Sequence, residues 1–83
     1  MSDDFYGEAP KADEKPVESQ SFASRRITSA EWNPNTGDLT VTFIRGDQRT
    51  YEGVPEYIWR GLLSAPSAGR YFGQVIAGSF TEF

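Results

Sequence analysis

The chain has 83 residues, no cysteine and no histidine, and a formal net charge of −4 at pH 7. This composition excludes disulfide bonds and thiolate metal sites, and it removes the side chain that most often serves as general base and metal ligand. A domain of this length buries too little of its surface to form a deep cleft. We therefore expect no enzymatic activity, no metal or cofactor, and no small-molecule substrate.

The first 24 residues carry the whole net charge. They contain six acidic residues and two lysines, whereas residues 25–83 contain six acidic residues and six arginines. High acidity, two prolines and the lack of a sustained apolar period predict a tail that is disordered or ordered only by a partner. The domain is then expected to span residues 25–83.

Four apolar residues are spaced along this acidic tail: Phe5, Tyr6, Val17 and Phe22. Such a pattern suits docking of an extended peptide on a basic, partly apolar partner. The alternative interpretation is a leader that only improves solubility. No apolar run approaches the ~20 residues of a membrane span, and the acidic N-terminus is unlike a secretory signal, so we expect a cytoplasmic protein without a membrane partner.

Residues 27–51 show the pattern of a three-stranded antiparallel meander. Leu39, Val41 and Phe43 alternate with threonines, which is typical of a half-buried strand, and the turn signal at 33–38 precedes them. Pairing of Trp32 with Leu39 would place Ala30 opposite Val41 and Thr28 opposite Phe43. A loop at residues 46–48 would then pair Arg45 with Arg49 and bring Tyr51 opposite Phe43.

Two amphipathic helices follow the predicted sheet. The first is expected from Pro55, with an apolar stripe at residues 58, 59, 62 and 63. The second is expected after an N-cap at Ser67, with its stripe at residues 68, 71, 72, 75 and 76 and its end at Gly78. The predicted fold is therefore α+β, with a β-β-β-α-α order and both helices packed on one face of the sheet. Gly69 and Gly73 are interpreted as sites of close packing against the first helix or the sheet, in preference to a ligand site.

Several strings in residues 25–80 resemble the KTSC domain, a module named after the C-terminus of some lysyl-tRNA synthetases. They are Ile27-Thr28-Ser29-Ala30, the turn at 33–37, Tyr51-Glu52-Gly53-Val54-Pro55, Leu62-Leu63 and Ala65-Pro66-Ser67-Ala68-Gly69-Arg70-Tyr71-Phe72. The resemblance implies the fold derived above and occurrence in small bacterial or phage proteins. It also implies, from the association with a synthetase, a role in RNA binding.

Two functions are expected from these observations. The first is a non-enzymatic adaptor whose acidic tail and domain surface dock on a larger protein assembly, a phage particle being one setting that the resemblance implies; a phage-encoded protein would lie in the host cytoplasm or the virion. The alternative is nucleic-acid binding through surface arginines and aromatic rings: Arg45, Arg49, Tyr51, Tyr57, Arg60 and Arg70. The protein partner is preferred because phosphate contacts need cationic side chains, and the neutral predicted domain contains no lysine.

Overall fold

A computed structural model describes residues 15–82 of the chain. Phe5 and Tyr6, which the sequence analysis places in the docking tail, lie outside the described residues. The described chain contains an antiparallel sheet in the order β1-β2-β3-β4, followed by helices. The strands are β1 (Glu18–Ser21), β2 (Ile27–Trp32), β3 (Leu39–Phe43) and β4 (Gln48–Tyr51), and the helices are α1 (Glu56–Ser64) and α2 (Ala68–Tyr71).

The α+β class is confirmed, but the prediction of three strands was wrong. The fourth strand, β1, comes from the acidic segment, and it pairs with β2 from Glu18 opposite Trp32 to Ser21 opposite Ser29. Its sequence, Glu-Ser-Gln-Ser, shows no apolar alternation because three of its four residues are exposed at the edge of the sheet. The polar and acidic composition that predicts disorder is therefore also compatible with an edge strand, because such side chains disfavour pairing of the exposed edge with another molecule.

The pairing of β2 with β3 follows the predicted register except at one end. Trp32 lies opposite Leu39 and Ala30 opposite Val41, as predicted. A bulge at Thr28 then places Ile27, rather than Thr28, opposite Phe43. The bulge turns the fully buried Ile27 into the core, which simple alternation along the strand would not do.

The register predicted for the β3–β4 hairpin was wrong. Tyr51 was expected opposite Phe43, and its partner lies four residues earlier on β3. Tyr51 pairs with Leu39, because the loop covers residues 44–46 and the amide of Phe43 donates to the carbonyl of Asp47 at 2.8 Å. Gly46 adopts φ +99° in this loop, a conformation that favours glycine. Because an even shift keeps each side chain on its face, Tyr51 is still buried.

The helices pack their apolar stripes on the sheet, as predicted. Trp59 and Leu62 of α1 are fully buried, and Ser67 caps α2 by accepting a hydrogen bond from the amide of Arg70 at 3.3 Å. After one α-helical turn the second helix widens into a π-helical segment, Phe72–Ile76, in which the amide of Ala77 donates to the carbonyl of Phe72. Gly73, a poor α-helix former, lies in this wider turn.

The centre of the core is a pair of tryptophan rings. Trp32 of β2 and Trp59 of α1 stack with their ring centroids 6.1 Å apart and their planes at 18°. The Trp32 indole N–H donates to the carbonyl of Val54 at 2.8 Å, and that of Trp59 donates to Oε1 of Glu18 at 2.9 Å. The stack therefore joins the sheet, the helix and the edge strand β1.

We predict that Trp59→Ala lowers the free energy of unfolding by about 3–5 kcal/mol, because it leaves a ring-sized cavity in a core with little room to collapse. Urea unfolding followed by far-ultraviolet circular dichroism measures the change. Trp59→Phe is the matched control: it keeps a ring in the core, loses the N–H bonded to Glu18, and should cost less. A Trp59→Ala protein within about 0.5 kcal/mol of the wild type, the range of ordinary surface substitutions, would contradict the central position of this ring.

Candidate functional site: two arginine-lined grooves

The first groove lies at the junction of the two helices. We call it the junction groove; it has a volume of about 840 Å³. The loop between β1 and β2 forms one wall, and the α1–α2 connection with the first turns of the second helix forms the other. Arg25, Arg26 and Arg70 line it, and its described lining contains no carboxylate. Its charge is therefore positive without a compensating group.

Two glycines allow the β1–β2 loop to approach the second helix. A Cβ atom at Gly69 would lie 3.1 Å from both Arg26 Cβ and Ser24 Oγ, and one at Gly73 would lie 2.8 Å from Arg26 Nη1. Arg26 Nη1 donates to the carbonyl of Gly69 at 3.3 Å. The close approach predicted for these glycines is present, but their neighbour is the β1–β2 loop and not the first helix or the sheet. The helix–helix approach occurs instead at Gly61, beside the ring of Tyr71.

The second groove lies beside the β3–β4 hairpin and is called here the hairpin groove. It has a volume of about 660 Å³. Its floor is mostly apolar, and the residues that form it come from the hairpin, β4 and the end of the chain: Phe43, Ile44, Tyr51, Phe72, Ala77 and Phe80. Ile44, which is 60% exposed, is the one exposed residue of this apolar set.

The exposure of Ile44 follows from its position. Phe43 is the last residue of β3 and points towards the core, where its ring meets Phe72 edge-on at 5.4 Å, so the next side chain points outward. The amide of Ile44 donates to the carbonyl of Arg26 at 2.9 Å. This bond fixes the hairpin to the same loop that lines the junction groove.

The rim of the hairpin groove is cationic. Arg25, Arg26, Arg45 and Arg49 contribute four positive charges, and two carboxylates, Asp47 and Glu82, reduce the balance to +2. Glu82 forms a salt bridge with Arg49 at 3.1 Å, whereas Arg25 and Arg45 form none within residues 15–82. An apolar floor with two unbridged guanidinium groups can bind a segment that is both acidic and apolar.

The structure places the candidate nucleic-acid contacts on different surfaces. Arg45 and Arg49 line the hairpin groove and Arg70 lines the junction groove. Arg60, on α1, lines neither and bridges two carboxylates, Glu18 and Glu56, each at 3.1 Å. The arginines proposed as one set of contacts therefore do not all line one groove.

The two tyrosines proposed for base stacking differ in exposure. Tyr51 is only 4% exposed, and its ring meets Phe72 edge-on at 5.6 Å, so it offers no free face to a base. Burial, with the nearby Glu82 carboxylate, raises the pKa of the Tyr51 phenol above its ordinary value, against the smaller opposing effect of Arg49. Tyr57 is exposed on α1 but lines neither groove.

The two tail residues that fall in the described chain also differ. Val17 is exposed, immediately before β1, as a docking residue would be. Phe22 is half-buried against the core, and its amide donates to the carbonyl of Thr28 at 2.9 Å. The structure thus assigns Phe22 to the domain rather than to a free tail.

Sequence reasoning missed the residues that connect the grooves, Arg25 and Arg26, and the exposed apolar residue Ile44. The signal for Ile44 was present: two apolar residues in succession, Phe43 and Ile44, interrupt the alternation of β3, so one of them had to face outward. No sequence pattern indicated a site at Arg25 and Arg26, because they line both grooves only through the path of the β1–β2 loop in the folded domain.

The KTSC domain family matches residues 23–80 of the chain. The chain belongs to the KTSC family. This KTSC domain is also similar to a protein of Stutzerimonas stutzeri (strain A1501), 36% identical over 55 residues that make up 66% of this chain and 78% of the relative. The crystal structure of a KTSC domain protein from Yersinia pestis matches with a TM-score of 0.76 and 34% identity, covering 82% of this chain and 96% of that one.

Among residues 15–82 of this KTSC protein, no three histidine, cysteine or acidic side chains come close enough together to hold a metal ion. No helix within residues 15–82 is long and apolar enough to cross a membrane.

We predict that Gly69→Ala lowers the free energy of unfolding by about 1–2 kcal/mol, the cost of overpacking, although alanine is the better helix former. The loop atoms cannot easily retreat, because Ser24 Oγ accepts hydrogen bonds from the amides of Arg26 and Ile27. Gly73→Ala is the matched control, since a Cβ there meets only the movable end of Arg26. Chemical denaturation of both variants tests this, and a Gly69→Ala protein at least as stable as Gly73→Ala would contradict the packing described.

Proposed function

We propose that this KTSC protein is a small, non-enzymatic binding module that docks on a larger protein assembly through its hairpin groove and its acidic N-terminal segment. The observation that carries the proposal is the hairpin groove itself, in which an apolar floor lies beneath a cationic rim. The floor and the rim of the groove would bind different side chains of a partner. Apolar side chains gain from burial on the floor, and carboxylates gain from the guanidinium groups around it.

The composition of the groove favours a protein partner over a nucleic acid. A nucleic acid would need cationic side chains along its backbone path and exposed rings for its bases. In the hairpin groove the most exposed apolar side chain is the aliphatic Ile44, and the ring of Tyr51 is buried. A groove whose most exposed apolar side chain is aliphatic suits the apolar side chains of a polypeptide better than it suits bases.

The acidic segment supplies a second contact. Residues 1–14 contain five acidic residues and one lysine, whereas residues 15–82 contain equal numbers of acidic and basic residues. Because β1 belongs to the sheet, the segment that is available to a partner is shorter than residues 1–24. A deletion that tests this segment should therefore stop at residue 14, because deletion of all of residues 1–24 removes β1 and exposes the edge of β2.

Single-stranded nucleic-acid binding is a second candidate function, and the junction groove is the observation that favours it. Its three arginines have no carboxylate among the described residues around them. Such a site attracts phosphate, with an affinity that falls as salt rises. This function would require Arg25 and Arg70, and substitution of Ile44 would not affect it.

We predict that the double variant Ile44→Ser/Arg45→Glu loses the protein partners of the wild type without loss of fold, since both side chains are exposed. Affinity capture with the tagged full-length protein from its source cells, followed by mass spectrometry, identifies candidates. Calorimetry with each purified candidate should then show binding weakened by about tenfold or more. Tyr57→Ser, which removes an exposed ring outside both grooves, is the matched control and should bind like the wild type.

Two results would overturn the proposal of a protein partner. One is unchanged binding by the hairpin-groove variant. The other is capture that nuclease treatment abolishes and that Arg25→Gln/Arg70→Gln weakens while Ile44→Ser/Arg45→Glu does not. The latter result would establish the nucleic-acid function at the junction groove.

A further inference from the structure

The chain itself contains a segment with the chemistry that the hairpin groove fits. Residues 3–8 read Asp-Asp-Phe-Tyr-Gly-Glu, with three carboxylates, two adjacent aromatic rings and no cationic side chain. The groove offers a net charge of +2 and an apolar floor. The charges are opposite, and the two rings would cover apolar surface at Ile44 that is otherwise open to water.

The position of the segment favours the groove of another molecule over its own. Lys15 is fixed at the turn between β2 and β3, where its amide donates to Asn35 Oδ1 at 2.9 Å and its carbonyl accepts from Asn35 Nδ2 at 2.7 Å. The hairpin groove lies at the opposite end of β3, beside residues 43–47. A segment leaving Lys15 must therefore cover the length of the sheet before it reaches the groove of its own chain.

The length of the segment limits how far it can reach within its own molecule. From Tyr6 to Lys15 there are nine residues, which span roughly 30 Å when fully extended. The seven residues along β2 from Asn33 to Arg26 alone take roughly 23 Å of this length. Roughly 7 Å of chain, the length of about two residues, then remains for the segment to enter its own groove, whereas a segment that enters a second molecule meets no such limit.

We propose that residues 3–8 of one copy bind in the hairpin groove of a second copy, so that the assembly on which this module docks includes further copies of itself. The inference rests on the proposed function, because it uses the same groove. The contact is head-to-tail: each molecule contributes a segment at one end and a groove at the other. Such contacts extend into chains or close into rings, depending on the rotation between neighbours.

Analytical ultracentrifugation of the full-length protein tests the inference. The wild type should show a weight-average mass that rises with concentration above the 9.3 kDa of one chain, and association should weaken as salt screens the opposite charges. A segment variant, Phe5→Ser/Tyr6→Ser, and a groove variant, Ile44→Ser/Arg45→Glu, should each remain monomeric at concentrations where the wild type associates. Tyr57→Ser should associate like the wild type.

Mixing the two defective variants gives the sharpest test. The segment variant keeps an intact groove and the groove variant keeps an intact segment, so a mixture should form a one-to-one dimer that cannot grow further. Circular dichroism first confirms that both variants are folded. The inference is overturned by a wild type that is monomeric at every concentration, by association that the groove variant retains, or by a mixture that stays monomeric although each variant is folded.

Failure of the inference can be distinguished from failure of the proposed function. If the wild type is monomeric but binds another protein through Ile44 and Arg45, the groove is a docking site and only its occupant was wrongly assigned. If neither self-association nor the binding of another protein requires these two residues, both proposals are wrong.

Discussion

The stacked indoles of Trp32 and Trp59 are the contact on which the rest of the structure depends. Trp59 is completely buried and lies 6.1 Å from Trp32, so α1 is fixed to the inner face of the sheet. Its N–H donates to Glu18, which brings β1 into the same arrangement. In a chain with neither disulfides nor a histidine ligand, the burial of such large rings supplies the area that a small core needs. Glu18 also bridges Arg60, so its carboxylate is satisfied from two sides.

The position of β1 determines both grooves. Once β1 is paired with β2, the loop at residues 22–26 must run beside the second helix, where Gly69 and Gly73 leave room for Arg26. The carbonyl of Arg26 then accepts from Ile44 and fixes the β3–β4 hairpin. One short loop thereby lines the junction groove on one side and the hairpin groove on the other. The arginines that both grooves share are placed there by the attachment of the edge strand.

Strong periodic patterns were sufficient to predict much of the fold. The alternation around Leu39 and Val41 and the turn at residues 33–38 predicted the β2–β3 pairing, and the stripes of both helices predicted their buried faces. The bulge at Thr28 and the offset of the last hairpin could not be predicted, because each depends on packing that local sequence does not encode. The strand β1 was missed for a related reason: an exposed edge strand needs only a backbone partner, and its polar residues gave no signal.

The candidate site was harder to predict than the fold. Arg45, Arg49 and Arg70 were selected as exposed cations, and they do line the grooves, but sequence alone could not divide them between two surfaces. Tyr51 was selected as a stacking ring although its place on the apolar face of β4 made it part of the core. In a domain this small, an aromatic residue on the inner face of a strand serves the core first.

The part of the acidic segment that is available to a partner ends before β1, because β1 belongs to the sheet and the loop after it lines both grooves. Hydrogen exchange of the Phe22 amide in the full-length protein tests this boundary most directly, since that amide donates to the carbonyl of Thr28 at 2.9 Å. We expect strong protection, with exchange slowed as it is for the amides in the centre of β2, and loss of that protection in Trp59→Ala before global unfolding. Exchange of Phe22 at the rate of an unstructured chain in the wild type would contradict it, and would extend the free tail to residue 24.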